Sequence, residues 1–237
     1  MKRMFVAAIV LAVAILGLVF AKNLIARALI IQGGKAMTGL RFEVKNADLG
    51  ILKTYLTLRE LKVMNPEGFD DRVMAYLPRV QVDYNLADFF EGKAHFEELA
   101  VDLEELVVVI NADNRVNVKS LQALSPKGGK EQVPLIIDTM RLKIGKVVYK
   151  NYAFGAADAR EFKLNIEEDF SNIEGADALV GLILMRALSK TNVPALAGID
   201  MGAIKEKIVA DVMRQSEGML QEFKTKTQEK IQEIFQP

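Results

Sequence analysis

The chain has 237 residues, with 31 basic and 31 acidic side chains, no cysteine and a single histidine. The absence of cysteine excludes disulfide scaffolds, thiolate nucleophiles and cysteine-based metal centres, and one histidine leaves little scope for general-base catalysis. A net charge of zero gives no basic footprint for nucleic acid, so the composition argues against both an enzyme and a nucleic-acid-binding protein.

The first segment of the chain predicts a membrane anchor. Lys2 and Arg3 precede an apolar run from Met4 to Ala21, which as a helix with a rise of ~1.5 Å per residue approaches the hydrocarbon thickness of a bilayer. A cleaved signal peptide is the alternative. The helical pattern continues to Gly33-Gly34, which favours an uncleaved transmembrane anchor and juxtamembrane helix over residues 1–34. The predicted anchor positions are Phe5, Ile9, Val13, Leu16 and Phe20.

Residues 35–124 change to the period-two alternation of β-strands. Apolar and charged residues alternate from Leu40 to Lys45 and from Tyr55 to Met64. The alternation changes phase near Glu60, which predicts a bulge or bend. The sequence Asn65-Pro66-Glu67-Gly68 predicts a turn before the next strand.

The second half of this region predicts more strands around a short helix. The alternation from Val73 to Tyr84 indicates a strand, and Leu86–Phe90 is typical of a helical turn closed by Gly92. Beyond it, Phe96–Leu103 and Leu106–Ile110 predict a pair of strands.

Residues 125–134, beginning Ser125-Pro126, predict a flexible linker. Residues 135–170 predict a second β meander with Gly145 at a turn. Residues 171–237 are predicted to be helical, with an apolar helix from Asp177 to Ser189 and a long helix from Asp200 to about Phe235. The long helix is interpreted either as a surface helix packed on the sheet or as one that lies on a membrane or acceptor.

The search for chemistry finds no catalytic constellation. His95 has no second histidine or cysteine beside it, so a structural role is favoured. The carboxylates show no fixed acid–base spacing, and Gly33-Gly34 and Gly128-Gly129 lack the strand-then-helix context of a phosphate loop. No cofactor and no metal site are predicted.

Several stretches together resemble the N-terminal region of the AsmA-like family of Gram-negative envelope proteins. They are the apolar N-terminus, Leu61-Lys62-Val63-Met64-Asn65-Pro66-Glu67-Gly68-Phe69, the turn Phe89-Phe90-Glu91-Gly92-Lys93, and Val109-Ile110-Asn111 with Asn114-Arg115-Val116-Asn117. The similarity covers about Met1 to Leu124 and continues more weakly through Ile166.

The resemblance implies inner-membrane anchoring and a periplasmic, taco-shaped β-sheet with an apolar groove. It further implies a part in phospholipid movement to the outer membrane and in envelope assembly, and it transfers no catalytic residues. The sequence departs from the large members in its length and in its helical C-terminal region. The positive residues before the apolar run agree with a single-pass topology that places the C-terminal part in the periplasm.

The expected fold is therefore α+β, with an N-terminal transmembrane helix, a curved antiparallel β-sheet with an apolar groove, and C-terminal helices. The leading functional hypothesis is a groove that shields lipid acyl chains, with membrane lipids as partners. The alternative is an envelope assembly factor that binds no lipid and docks a protein partner or a second copy through its C-terminal helix. The predicted groove residues are Phe42, Val44, Leu58, Leu61, Val63, Val80, Val82, Leu99, Val101, Val108, Leu142 and Ile144.

Overall fold

Six β-strands form one curved sheet in the computed structural model of the chain, which describes residues 21–36, 38–50, 54–121, 135–153 and 158–191. The strands are β1 (Phe42–Leu49), β2 (Tyr55–Met64), β3 (Val73–Tyr84), β4 (Ala94–Ile110), β5 (Leu135–Asn151) and β6 (Asp158–Glu174). The helices are α1, described over residues 21–36, α2 (Leu86–Phe90), a 3-10 turn (Asn117–Ser120) and α3 (Ala176–Ser189). The fold class is α+β, as predicted.

The strands lie in the sheet in their chain order, β1 to β6. The prediction of an antiparallel sheet is wrong for one of its five strand pairs, because β4 and β5 run parallel from Ala94 opposite Leu135 to Ile110 opposite Asn151. A parallel pair needs a crossover that returns the chain to the starting edge of the sheet. Residues 111–134 make that connection and join both predicted β regions into one sheet. The predicted linker at 125–134 lies outside the described residues.

Helix α1 continues past the glycine pair that was expected to end it. Residues 35, 36 and 38 are still helical, and Gly39, with a φ of +75°, closes the helix by donating its N–H to the Lys35 carbonyl at 2.8 Å. Gly34 instead permits a close approach to β1, since a Cβ there would lie 3.0 Å from the Phe42 ring. In the described part of the chain no helix has both the length and the apolar content to cross a bilayer. The predicted anchor positions Phe5, Ile9, Val13, Leu16 and Phe20 lie outside that part.

Three strands are longer than their sequence patterns indicated. The predicted pair Phe96–Leu103 and Leu106–Ile110 is one strand of 17 residues, β4. The predicted meander over 135–170 is a hairpin of two 17-residue strands, with Gly145 inside β5 rather than at a turn and β6 extending to Glu174. Helix α3 confirms the predicted apolar helix near Asp177. The predicted helix from Asp200 to Phe235 lies outside the described residues.

An irregular line, which we call the crease, crosses the sheet and explains these misread strands. Glu60 in β2 and Asn165 in β6 have left-handed φ values of 51° and 46°, and in β6 Leu164 and Asn165 stand opposite the single residue Gly145 of β5. Five strands place their buried apolar residues three apart across the crease instead of two: Val44/Ala47, Leu58/Leu61, Leu77/Val80, Leu103/Leu106 and Ile144/Val147. A local break of this kind bends a strand and keeps its apolar residues on one face. The phase change predicted near Glu60 is one element of this line.

The strands begin and end along two opposite sides of the sheet, which are here called edges although they run across the strands. The α2 edge holds the end of β1, the start of β2, the end of β3 with α2, the starts of β4 and β5, and the end of β6. The opposite end, which we call the Asn117 edge, holds the turn at Asn65–Gly68 and the 3-10 turn. At a rise of roughly 3.3 Å per residue, the 17-residue strands separate these edges by about 55 Å.

Candidate functional site: the apolar face of the sheet

Apolar side chains form three rows that cross all six strands on one face of the sheet, here called the apolar face. The first row is Phe42, Val63, Ala75, Leu106, Val147 and Phe162; the second is Ala47, Leu58, Val80, Val101, Leu142 and Glu168; the third is Leu49, Leu56, Val82, Leu99, Met140 and Phe170. Each row follows directly from the cross-strand pairing register. The only charged member is Glu168, on the edge strand.

The structure brings all twelve predicted groove residues together in one apolar cluster. Phe42 is partly buried, and each of the other eleven is less than one tenth exposed. The rows also contain residues that the prediction missed, among them Leu56, Leu106, Met140 and Val147. The alternation marks Leu56 and Met140 directly. Leu106 and Val147 come just after the crease, where β4 and β5 were each interpreted as two segments.

The opposite face carries charge in the same ordered way. One row across it is Asn46, Arg59, Arg79, Asp102, Lys143 and Glu167. Neighbouring strands pair their charges, as Lys143 does with Glu167 at 3.0 Å and Arg141 with Asp169 at 3.4 Å. These exposed pairs contribute little to stability individually. They mark this part of the face as the one that meets water, whereas the apolar face needs a partner that covers it.

Two helices pack on the apolar face within the described residues. Helix α3 contacts β5 and β6, where Arg186 pairs with Glu168 at 2.9 Å and lies over the Phe170 ring at 5.4 Å. From α1, Ala26 and Ile30 join the same apolar cluster. The 14 residues of α3 span roughly 21 Å, less than half the length of β5. Helix α3 therefore covers the face over two of the six strands and over part of their length.

The asparagine residues that support the AsmA-like resemblance hold the Asn117 edge together. Asn117 is fully buried: its amide donates to the carbonyls of Val107 and the Asn65 side chain at 2.7 and 2.8 Å, and its Oδ1 accepts from the N–H groups of Val109 and Val118 at 2.9 Å. These bonds satisfy backbone groups of β4 that would otherwise be buried without partners. The motif is thus a structural fastening between the Asn65 turn and β4.

A second fastening at the same edge joins the Asn65–Arg72 loop to β5. Asp71 accepts hydrogen bonds from Lys150 Nζ and from Tyr152 Oη, the latter at 2.9 Å. The hydrogen bond with Asp71 raises the pKa of Lys150, and burial together with Asp71 raises the pKa of Tyr152. Both groups therefore keep their protons at neutral pH, and the cluster holds the loop rather than offering a base.

His95, the one histidine of the chain, ties α2 to the sheet. Its Nδ1 lies 2.5 Å from Asp88 Oδ2 on α2, and its Nε2 lies 3.0 Å from Asp138 Oδ1 on β5. Hydrogen bonds to Asp88 and then Asp138 raise the pKa of His95 above its ordinary value of 6.5. Both ring nitrogens can donate only in the protonated form, so the imidazolium bridges both carboxylates and the neutral ring bridges one as a donor.

The raised pKa of His95 predicts a pH-dependent attachment of α2. The bridge stabilises the folded protein fully below the unfolded-state pKa, near 6.5, and this stabilisation is lost as the pH rises through the higher folded-state pKa. In NMR titrations, the single histidine should titrate above 6.5 and shift downward in Asp88→Asn and, by less, in Asp138→Asn. Asp113→Asn, at the Asn117 edge, is the matched control and should change nothing. An unchanged value in Asp88→Asn would contradict the bridge.

Comparisons with known proteins give no information about the site. No family model, curated protein or solved structure matches the chain. Over the described ranges, no three histidine, aspartate or glutamate side chains are grouped so that they could hold a metal ion. The apolar face is therefore the candidate site within the described residues, and an apolar surface suits a ligand that is itself apolar.

Proposed function

We propose that the protein is a single-pass envelope protein of AsmA-like type, anchored in the inner membrane with its sheet in the periplasm. It shields lipid acyl chains against the apolar face and so contributes to phospholipid transport or outer-membrane assembly. No catalytic group takes part, because holding an acyl chain requires only a dry apolar surface near the bilayer. Residues 1–21 supply the anchor in this proposal.

The observation that carries the proposal is the continuity of the three apolar rows. They cross six strands, about 24 Å at ~4.8 Å per strand, and they lie on strands far longer than α3. An apolar face of this size matches an extended acyl chain better than a compact polar ligand. The charged row through Arg79 and Asp102 keeps the other side of the sheet in water.

The proposal requires that the protein segments that cover the apolar face move away when lipid binds. Val80, Val82 and Leu99 are already less than one tenth exposed, so an acyl chain enters by replacing contacts that close the face. Burying apolar surface yields roughly 25 cal/mol per Å² whichever apolar partner provides it. Exchange of protein for acyl chain on this face therefore leaves the burial of the rows nearly unchanged.

Extraction of the full chain from membranes in mild detergent, followed by mass spectrometry, tests the proposal. We expect co-purified phospholipid, which Val101→Phe should displace with little loss of thermal stability, because the added ring takes acyl-chain space. Ala100→Phe, on the charged face of the same strand, is the matched control and should keep its lipid. A lipid-free wild-type protein would contradict the proposal.

A second candidate function is favoured by the closed state of the face. If the apolar face is a permanently filled core, the protein is an envelope assembly factor that binds no lipid and docks a partner through residues 200–235. Val101→Phe would then overpack the core and cost about 1–3 kcal/mol of stability. The same variant thus separates the two functions by its unfolding temperature as well as by its lipid content.

A further inference from the structure

Three apolar side chains of α2 face solvent together. Leu86 is 40% exposed, Phe89 59% and Phe90 81%, and this five-residue helix buries none of its residues. The two phenylalanine rings meet edge to face, with centroids 6.3 Å apart. We call Leu86, Phe89 and Phe90 the α2 tip. Single exposed apolar residues are ordinary, but a cluster with two exposed aromatic rings indicates a contact surface.

The α2 tip lies at the end of the sheet where the predicted anchor joins it. Lys22 Nζ donates to the Leu49 carbonyl, and the Leu49 N–H donates to Asn23 Oδ1 at 3.0 Å. Next to this point Tyr84, at the end of β3, donates its hydroxyl to the Gly50 carbonyl at 3.0 Å. Two strand spacings, about 10 Å, separate β1 from β3. Lys22 directly follows the apolar run Met4–Ala21. It therefore lies at the α2 edge, as the α2 tip does.

We propose that the α2 tip inserts into the interface of the same bilayer that holds the N-terminal anchor. This inference rests on the anchor of the proposed function. With the bilayer at the α2 edge, the rings of Phe89 and Phe90 meet lipid, and the Asn117 edge lies about 55 Å away along β4. The anchor and the tip then form two contacts that fix how the sheet stands on the membrane.

The charges around the tip make apolar contact the driving force. Lys93 pairs with Glu91 at 2.8 Å, and Asp88 is held by His95. Asn85 caps α2 by accepting from the N–H groups of Ala87 and Asp88 and donating to Glu97. Because these side chains pair with one another, none of them needs an anionic headgroup as a partner. Insertion therefore proceeds in zwitterionic bilayers.

With the α2 edge on the bilayer, lipid can enter the apolar face at that edge. The third apolar row, with Val82, Leu99 and Met140, is the row closest to the α2 edge. Insertion of the tip brings that end of the face to the membrane surface, so an acyl chain passes from the bilayer onto the sheet with a short aqueous path. The partner of the α2 tip is thus the bilayer itself, and the lipid that moves onto the sheet comes from the same bilayer.

The chain contains no tryptophan, so one introduced tryptophan is a unique reporter. Phe90→Trp in the full-length protein, placed in phosphatidylcholine nanodiscs, should show a blue-shifted emission that lipids brominated on their acyl chains quench. Phe69→Trp is the matched control at the Asn117 edge, where Arg115 lies 5.9 Å from the Phe69 ring centre, and it should escape quenching. Circular dichroism and thermal unfolding confirm that both variants fold.

Each outcome of this experiment decides the inference. Quenching of Phe90→Trp alone supports it. Equal quenching of both reporters, or of neither, overturns it, and a blue shift without quenching places the tip against another protein molecule and overturns it too. A requirement for anionic lipid would contradict the apolar driving force. If the tip does not insert, lipid can still co-purify on the apolar face, so the proposed function is unaffected. If the protein does not enter nanodiscs at all, both the proposed anchor and this inference are wrong.

Discussion

Asn117→Ala is expected to destabilise the protein by about 3 kcal/mol or more. The change removes four hydrogen bonds and leaves the N–H of Val109 and the carbonyl of Val107 buried without partners. Each buried polar group left unsatisfied costs about 1–3 kcal/mol. Urea unfolding of the full-length protein in detergent, followed by circular dichroism, measures the loss.

Asn114→Gly is the control for that measurement. Asn114 is exposed on the same turn, with a left-handed φ of 59° that glycine adopts without strain. Its replacement should change stability by less than about 0.5 kcal/mol. If Asn117→Ala were as mild as Asn114→Gly, the buried amide would not be the fastening between β4 and the Asn65 turn.

Gly145→Ala is expected to lower the free energy of unfolding by about 1–3 kcal/mol, because it places a methyl group against the backbone of β4. A Cβ at Gly145 would lie 2.6 Å from the Glu104 carbonyl oxygen, a backbone atom that moves only if the parallel pair separates. The crease that bends the sheet passes between these residues. Differential scanning calorimetry should show a lower unfolding temperature for this variant.

Gly33→Ala provides the opposite result in the same assay. A Cβ at Gly33 has nothing within 4 Å, and alanine favours the helical state of α1 by up to about 1 kcal/mol. We therefore expect an unchanged or slightly higher unfolding temperature. A Gly145→Ala protein that unfolds at the wild-type temperature would show that the close approach of β4 and β5 is absent.

The crease shows what local sequence predicts and where it misleads. Apolar spacing of three appears in the sequence at Leu58/Leu61 and again at Leu103/Leu106, yet it was interpreted as a bend at the first and as the end of a strand at the second. The residue types are the same in both places. Only pairing with β3 and β5 shows that β4 continues, because the partners break phase at the same line.

Other features depend on contacts between residues far apart in sequence. The parallel pairing of β4 with β5 joins two strands that are separated by more than twenty residues, and no local pattern encodes it. The bridge from His95 to Asp138 joins residues 43 positions apart. The burial of the predicted groove residues on one face was predictable because period-two alternation reports directly which side of a strand is buried. What the burial pattern alone does not encode is the partner that covers them.

Site-specific photocrosslinking tests the proposal that acyl chains lie against the apolar face. A photoreactive amino acid at Val82 or at Leu99 in the full-length protein, activated in its native membrane, should form phospholipid adducts. The neighbours Gln81 and Glu98 point to the charged face of the same strands and should form none. We expect phospholipid adducts at Val82 and Leu99 alone. Adducts only with protein at Val82 and Leu99, or lipid adducts equally at all four positions, would contradict it.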